Sequence, residues 1–150
     1  MLTKDFDGYV LKNEIVGIEK IKEDQDCVWL KAGAGVSWHE LVIYAVEHGL
    51  GGIENMSLIP GSTGAAPMQN IGAYGVELKD VFDSLEAFHI KDNVFVSFNN
   101  KDCAFGYRES VFKRQYKNEM VITSVTLCLR KNPEFHVAYG AIQQQLEKMA

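Results

Sequence analysis

One stretch limits what this chain can fold into more than any other: Ile59-Pro60-Gly61-Ser62-Thr63-Gly64-Ala65-Ala66-Pro67-Met68-Gln69-Asn70-Ile71-Gly72-Ala73-Tyr74-Gly75. It holds four of the 13 glycines and two of the three prolines, with no charged side chain. Such a run makes neither a surface helix nor a buried strand. Glycine permits unusual φ, and the missing Cβ lets main chain come close to something else. Gly61 and Gly64, with Ser62, Thr63, Ala65 and Ala66 between and after them, read as a turn entering a short helix near Pro67. Its clustered N–H groups and dipole would favour a phosphate, and the alanines would let a flat ring pack on the backbone. A tight solvent loop with no ligand is the alternative that residue types leave open.

The totals exclude several classes. At 150 residues the chain is one domain or a piece of a larger protein, and 47% apolar residues suffice for a core. A net charge of −5 argues against a nucleic-acid platform. No apolar run approaches the ~18 residues of a membrane span. Met1-Leu2-Thr3-Lys4-Asp5 turns polar at once, unlike a signal peptide. Cys27, Cys103 and Cys128 lie far apart in sequence, without C-x-x-C spacing. They are expected to be buried free thiols of a reducing compartment, the cytoplasm. His39, His48, His89 and His136 show no metal-ligand spacing and read as structural or surface residues.

Periodicity sets the elements around the central stretch. Residues 9–13 and 15–22 read as strands. In residues 27–34, Val28, Leu30 and Ala32 alternate with Cys27, Trp29 and Lys31, a strand with one face inward. Ser37 and Glu40 have capping-box spacing. Trp38, Leu41, Val42, Ala45 and Val46 then share one helical face, and Gly49 is a natural stop. Residues 81–90 and 94–98 read as a hairpin, with Asn99 capping a short turn through Cys103. Residues 121–130 read as a central strand, ended by Asn132-Pro133. Residues 140–150 begin a helix with Ile142, Leu146 and Met149 on one side. Strands predominate around one strong helix, so the class is α+β, without the βαβ alternation of a dinucleotide-binding sheet.

Three further positions carry chemistry. Tyr74 stands in a second tight turn, Asn70-Ile71-Gly72-Ala73-Tyr74-Gly75, and either projects a hydroxyl into a cleft or packs in the core. Arg108, in Gly106-Tyr107-Arg108-Glu109-Ser110, suits two-pronged recognition of a carboxylate and stabilisation of charge there. A salt bridge to Glu109 or another acid is its bland alternative. Tyr139-Gly140 is a weaker candidate for closing over a ligand.

Taken together, several segments resemble the UDP-N-acetylenolpyruvoylglucosamine reductase family. They are Ala32-Gly33-Ala34-Gly35 before Trp38-His39, Gly52-Ile53-Glu54, Ser57-Leu58-Ile59-Pro60-Gly61, Pro67-Met68-Gln69-Asn70-Ile71-Gly72-Ala73-Tyr74-Gly75, Phe105-Gly106-Tyr107-Arg108-Glu109-Ser110 with Phe112-Lys113, and Tyr139-Gly140. The resemblance runs over nearly all of the chain in family order. It implies the larger lobe of a vanillyl-alcohol-oxidase-type FAD-binding domain over residues 1–139, a mostly antiparallel sheet with packed helices. Residues 140–150 would then start a linker helix toward a substrate-binding domain.

It further implies that Ile59, Pro60, Gly61, Ser62, Gly64, Ala65 and Ala66, then Asn70, Ile71, Gly72, Ala73 and Tyr74, line a non-covalent FAD. Ile122 would touch the ring. Arg108 would face the enolpyruvyl carboxylate, and Tyr139 would help cover the UDP-sugar. NADPH would be the hydride source. The family's N-terminal flavin lobe, and the domain carrying its serine acid and assisting glutamate, are not recognisable in these residues. The expectation is therefore no turnover, and little or no FAD affinity, for the chain alone. Two other classes remain: an FAD-linked oxidase of the same fold, whose members often tether flavin through His or Cys, absent from the central loop, and a binding domain with no redox role.

Overall fold

The computed structural model describes residues 5–138 and 142–149. In chain order come β1 (Ile18–Glu23), β2 (Cys27–Gly33), α1 (Trp38–Glu47), the two-residue strands β3 (Gly72–Ala73) and β4 (Val76–Glu77), β5 (Phe82–His89), β6 (Val94–Asn99), α2 (Asn100–Cys103), β7 (Met120–Arg130) and α3 (Ile142–Met149). One antiparallel sheet has the order β1-β2-β7-β5-β6, and β3 pairs with β4. The class is the expected α+β.

Alternation sets the sheet's inner face. Val28, Leu30 and Ala32 of β2 and Val125, Leu127 and Leu129 of β7 are buried together with Leu85, Ala87 and Phe98. Thr123 has no partner on β5, because Glu86 pairs with Ser124 and Ala87 with Ile122. This bulge reverses the side-chain parity of β7 and turns Ile122 onto the core face, where it is 5% exposed. Trp38, Leu41, Val42 and Ala45 of α1 close the layer.

The two ends of α1 are held differently. Ser37 occupies the N-cap position, but the expected capping box does not form, since its side chain makes no cap bond. Instead the Trp38 N–H donates to Gly61 O at 3.0 Å, and Ser37 bridges to Ser62. A tertiary contact thus replaces the local cap. At the far end Gly49 takes φ +68, donating to Val46 O at 3.0 Å, while Leu50 donates to Ala45 O at 2.9 Å. That is a Schellman motif, and glycine suits its left-handed residue.

Other expectations need correction. Residues 9–13 form no strand: Tyr9 is 96% and Leu11 93% exposed. The segment meets the sheet through the Asn13 side chain, whose Nδ2 donates to Ile122 O at 3.0 Å, and through residues 15–17, with Gly33 and Gly35 donating to Gly17 O and Ile15 O. Val46 is exposed, so the apolar stripe of α1 is narrower than its spacing suggests. The α3 helix forms but buries nothing. All three cysteines are free, yet only Cys103 is buried; Cys27 and Cys128 are half-buried. Among the described residues no helix is long and apolar enough to cross a membrane, and no cluster of metal-binding side chains occurs.

Candidate functional site

The glycine stretch becomes a 3₁₀ helix over Thr63–Gln69, with Pro67 inside it, followed by the β3–β4 hairpin. Asn70 ends the helix at φ +44 and is fully buried. Its side chain faces inward: Nδ2 donates to Gly106 O at 3.0 Å, and Oδ1 accepts from Lys79 N–H at 3.0 Å. Tyr74 and Gly75 make the two-residue turn, both at positive φ (+51 and +83). That is the backbone of a primed hairpin turn. Asparagine is commoner there than tyrosine, so a half-exposed tyrosine at this φ is an outlier of the kind that gathers at working sites.

Arg108 stands in a second tight turn, where Gly106 and Glu109 exchange hydrogen bonds of 3.0 and 3.2 Å. Its φ is +52, a conformation that glycine adopts without cost. Its Nη2 donates to Gly72 O at 2.7 Å. The guanidinium therefore lies against the glycine stretch, and Glu109 pairs with Arg114 instead, at 3.6 Å.

Three further bonds fix this arrangement. The buried Ser110 Oγ donates to Met68 O at 2.7 Å, Asn70 reaches Gly106 as above, and Lys113 Nζ donates to Arg108 O at 2.9 Å. A cavity of about 480 Å³ opens beside them, lined by residues 72–77 with Lys79, Asp80, Tyr107 and Arg108. On its rim Glu77 pairs with Lys79 and raises the lysine's pKa above its ordinary value.

The expected cofactor-lining residues divide. Pro60, Gly61 and Ala65 are exposed, while Ile59, Ser62, Gly64, Gly72 and Ala73 are half-buried. Ala66, Asn70, Ile71 and Ile122 are buried. Residues 60–66 sit at the start of α1 and do not line the cavity beside Arg108. Tyr139 lies outside the described residues.

For a flavin the fit is split. Gly61 has φ +125 and open space where a Cβ would stand, so bare main chain faces outward beside small side chains, as a flat ring requires. The expected phosphate cradle is not there. The N–H groups of Thr63, Gly64 and Ala65 already donate to Val36 O, Ala34 O and Ser62 O at 2.8, 2.9 and 3.0 Å. The first two bonds dock the helix start on the segment just past β2, and all three occupy the donors a pyrophosphate would use.

Sequence reasoning gave no role to Asn55, Ser110 or Lys113. Asn55 Nδ2 donates to Tyr74 O at 3.2 Å and His136 O at 2.9 Å, tying the aromatic turn to the segment after β7. Nothing local in the sequence signals that contact. Ser110 and Lys113 belong to a recognisable motif, but their partners are distant or defined by backbone geometry.

Residues 2–93 match the family described as FAD binding domain. The UDP-N-acetylenolpyruvoylglucosamine reductase of Amoebophilus asiaticus is 54% identical over 99% of this chain and 44% of its own length. That of Flavobacterium johnsoniae is 47% identical over the same shares. The crystal structure of the Thermus caldophilus UDP-N-acetylenolpyruvylglucosamine reductase aligns with a TM-score of 0.58 at 28% identity, over 79% of this chain and 40% of that one. The chain thus spans less than half the length of these relatives.

Proposed function

The chain belongs to the FAD binding domain family, and from that premise we propose that it is the larger flavin lobe of a reductase that converts UDP-N-acetylglucosamine enolpyruvate to UDP-N-acetylmuramate in peptidoglycan synthesis. Residues 1–139 form that lobe, and residues 140–150 begin the helix toward a substrate-binding domain. The names of the relatives support the reading. The observation that carries it is the 2.7 Å bond from Arg108 to Gly72 O, which joins the two most specific motifs at one cavity.

FAD held here would supply hydride-transfer chemistry between NADPH and the enol-ether carbon of the substrate. Arg108 binds the substrate carboxylate and stabilises the negative charge that builds there. The Gly72 carbonyl takes one guanidinium donor and aims the rest. Bare main chain at residues 60–62 seats the ring, and Tyr139 belongs to the substrate cover. The serine acid and assisting glutamate come from the rest of the reductase, in the cytoplasm. With residues 63–65 satisfied internally, the pyrophosphate is held mainly by the other lobe.

The test replaces the matching region of the Amoebophilus asiaticus relative with this chain. The chimera is expected to be yellow and to oxidise NADPH only when the enolpyruvyl sugar is present. Arg108→Ala should lower kcat by about 10²–10³, the loss typical of removing a donor to developing charge, with the flavin retained. A yellow chimera that reduces oxygen and ignores the sugar would make the protein an oxidase. A colourless, folded one would leave a binding domain.

A further inference from the structure

Two thiols separated by most of the chain meet on the outer face of the sheet. Cys27 opens β2 opposite Arg130, and Cys128 of β7 stands opposite Trp29, so the cysteines are diagonal neighbours. The backbone bonds show what kind of pairs these are. Arg130 exchanges both its N–H and its C=O with Gly51, at 3.0 and 2.9 Å, and the Cys128 N–H goes to Val81 O at 2.8 Å. These groups point away from β2. Cys27/Arg130 and Trp29/Cys128 are therefore non-hydrogen-bonded pairs, the class whose directly opposite Cα atoms stand about 4.5 Å apart and whose side chains are closest, with diagonal neighbours at about 7–8 Å. The Cys27 thiol is close enough to the Cys128 thiol to act on its ionisation. Both are half-buried and line a surface cleft of about 640 Å³ together with Trp29, Asp83 and Arg130. Cys103 is 0% exposed and stands apart as an internal control.

We propose that Cys27 and Cys128 form a reversible modification site, a dithiol that small disulfides of the glutathione class oxidise to an intramolecular disulfide joining β2 to β7. Disulfides need Cα separations of about 4.4–6.8 Å, so forming the link draws the two strands together at this end by about 1–2 Å from a typical diagonal spacing. Cys27 is the first residue of β2 whereas Cys128 lies within β7, so exchange enters at Cys27; burial and the neighbouring Cys27 push the Cys128 thiol up to about 12. The Cys27 thiolate attacks the external disulfide, forms a mixed disulfide and expels one small thiol. Cys128 then loses its proton to water and attacks Cys27 Sγ, expelling the second. The protein dithiol gives up two electrons and two protons; the small disulfide becomes two thiols.

The experiment treats the folded 150-residue chain with glutathione disulfide, quenches with acid, alkylates and maps the peptides. Free thiols are expected to fall from three to one, with residues 27 and 128 linked and Cys103 alkylated. Excess reduced glutathione should restore all three. In Cys128→Ser a mixed disulfide should persist on Cys27. A wild-type chain that keeps three free thiols, or that accumulates a lasting mixed disulfide on Cys27 without the link, overturns the proposal. The wild-type measurement decides the matter without relying on the folding of any variant.

Discussion

Replacing Asn70 is the sharpest test of how the Arg108 turn is held. The side chain is 0% exposed and makes two bonds of 3.0 Å, to Gly106 O and from Lys79 N–H. Asn70→Ala removes both. The half-buried Gly106 carbonyl keeps the Glu109 N–H at 3.2 Å, and water can replace the acceptor of the exposed Lys79 N–H. Two lost hydrogen bonds, each worth about 0.5–1.5 kcal/mol, cost about 1–3 kcal/mol together. Alanine at φ +44 adds about 1–2 kcal/mol, because only asparagine, aspartate and glycine tolerate that region well. The sum is about 2–5 kcal/mol, a large share of the ~5–15 kcal/mol that holds a domain together.

Asn70→Gly separates the two effects. It loses the same bonds but not the backbone tolerance, and its extra freedom when unfolded returns about 0.4–1 kcal/mol of the gain. Glycine should therefore be more stable than alanine by roughly 0.5–1 kcal/mol. Urea unfolding followed by the fluorescence of Trp38, which is 1% exposed, reads both variants. Trypsin should also cut after Arg108 sooner in Asn70→Ala, as the turn loosens. An alanine variant within about 1 kcal/mol of wild type, or a glycine variant less stable than the alanine one, would refute the reasoning.

Three other outcomes are expected. Gly64→Ala should lose about 1–3 kcal/mol by overpacking, since its Cβ would stand 2.5 Å from Ala34 Cβ, and thermal melts read the loss. Trp38→Phe leaves the buried Met56 carbonyl without the indole N–H it accepts at 2.9 Å, an expected loss of about 1–3 kcal/mol in the same assay. Burial pushes the Cys103 thiol from 9.0 up to about 12. The unfolded chain ionises first, so this contribution is intact below pH 9 and fades as pH rises toward 12. Unfolding free energies from urea titrations at about pH 8 and 10.5 should differ by about 2 kcal/mol more in wild type than in Cys103→Ala.

Much of the fold was legible because burial alternates with the period of each element. β2, β5, β7 and the inward face of α1 follow that rule, and Gly49 stops α1 by a local device. What was not legible depends on partners distant in sequence. Gly61 closes the first turn of α1 in place of the Ser37–Glu40 box, and the bulge at Thr123 exists only opposite β5. Residues 9–13 have strand composition but no strand beside them among the described residues. At the site, the motifs named Arg108 and the glycine stretch, but residue types alone could not show that Arg108, Tyr74 and Asn70 take left-handed backbone. Nor could they show that the N–H groups of Thr63 and Gly64 are spent on Val36 and Ala34, just past β2, and that of Ala65 on Ser62.

The strand at the middle of the sheet is the last of the sheet to be synthesised. β2 and β5 never pair with each other; each reaches the other only through β7. While a ribosome is still short of Met120, the chain holds two separate hairpins with open edges facing the same gap. Such edges invite pairing with neighbouring chains, and the contacts that close them span long loops. Collapse to the native state must therefore wait for the final eleven-residue strand to emerge. Translation stalled just before it would leave a product prone to aggregate, and chaperones would be needed most during that interval.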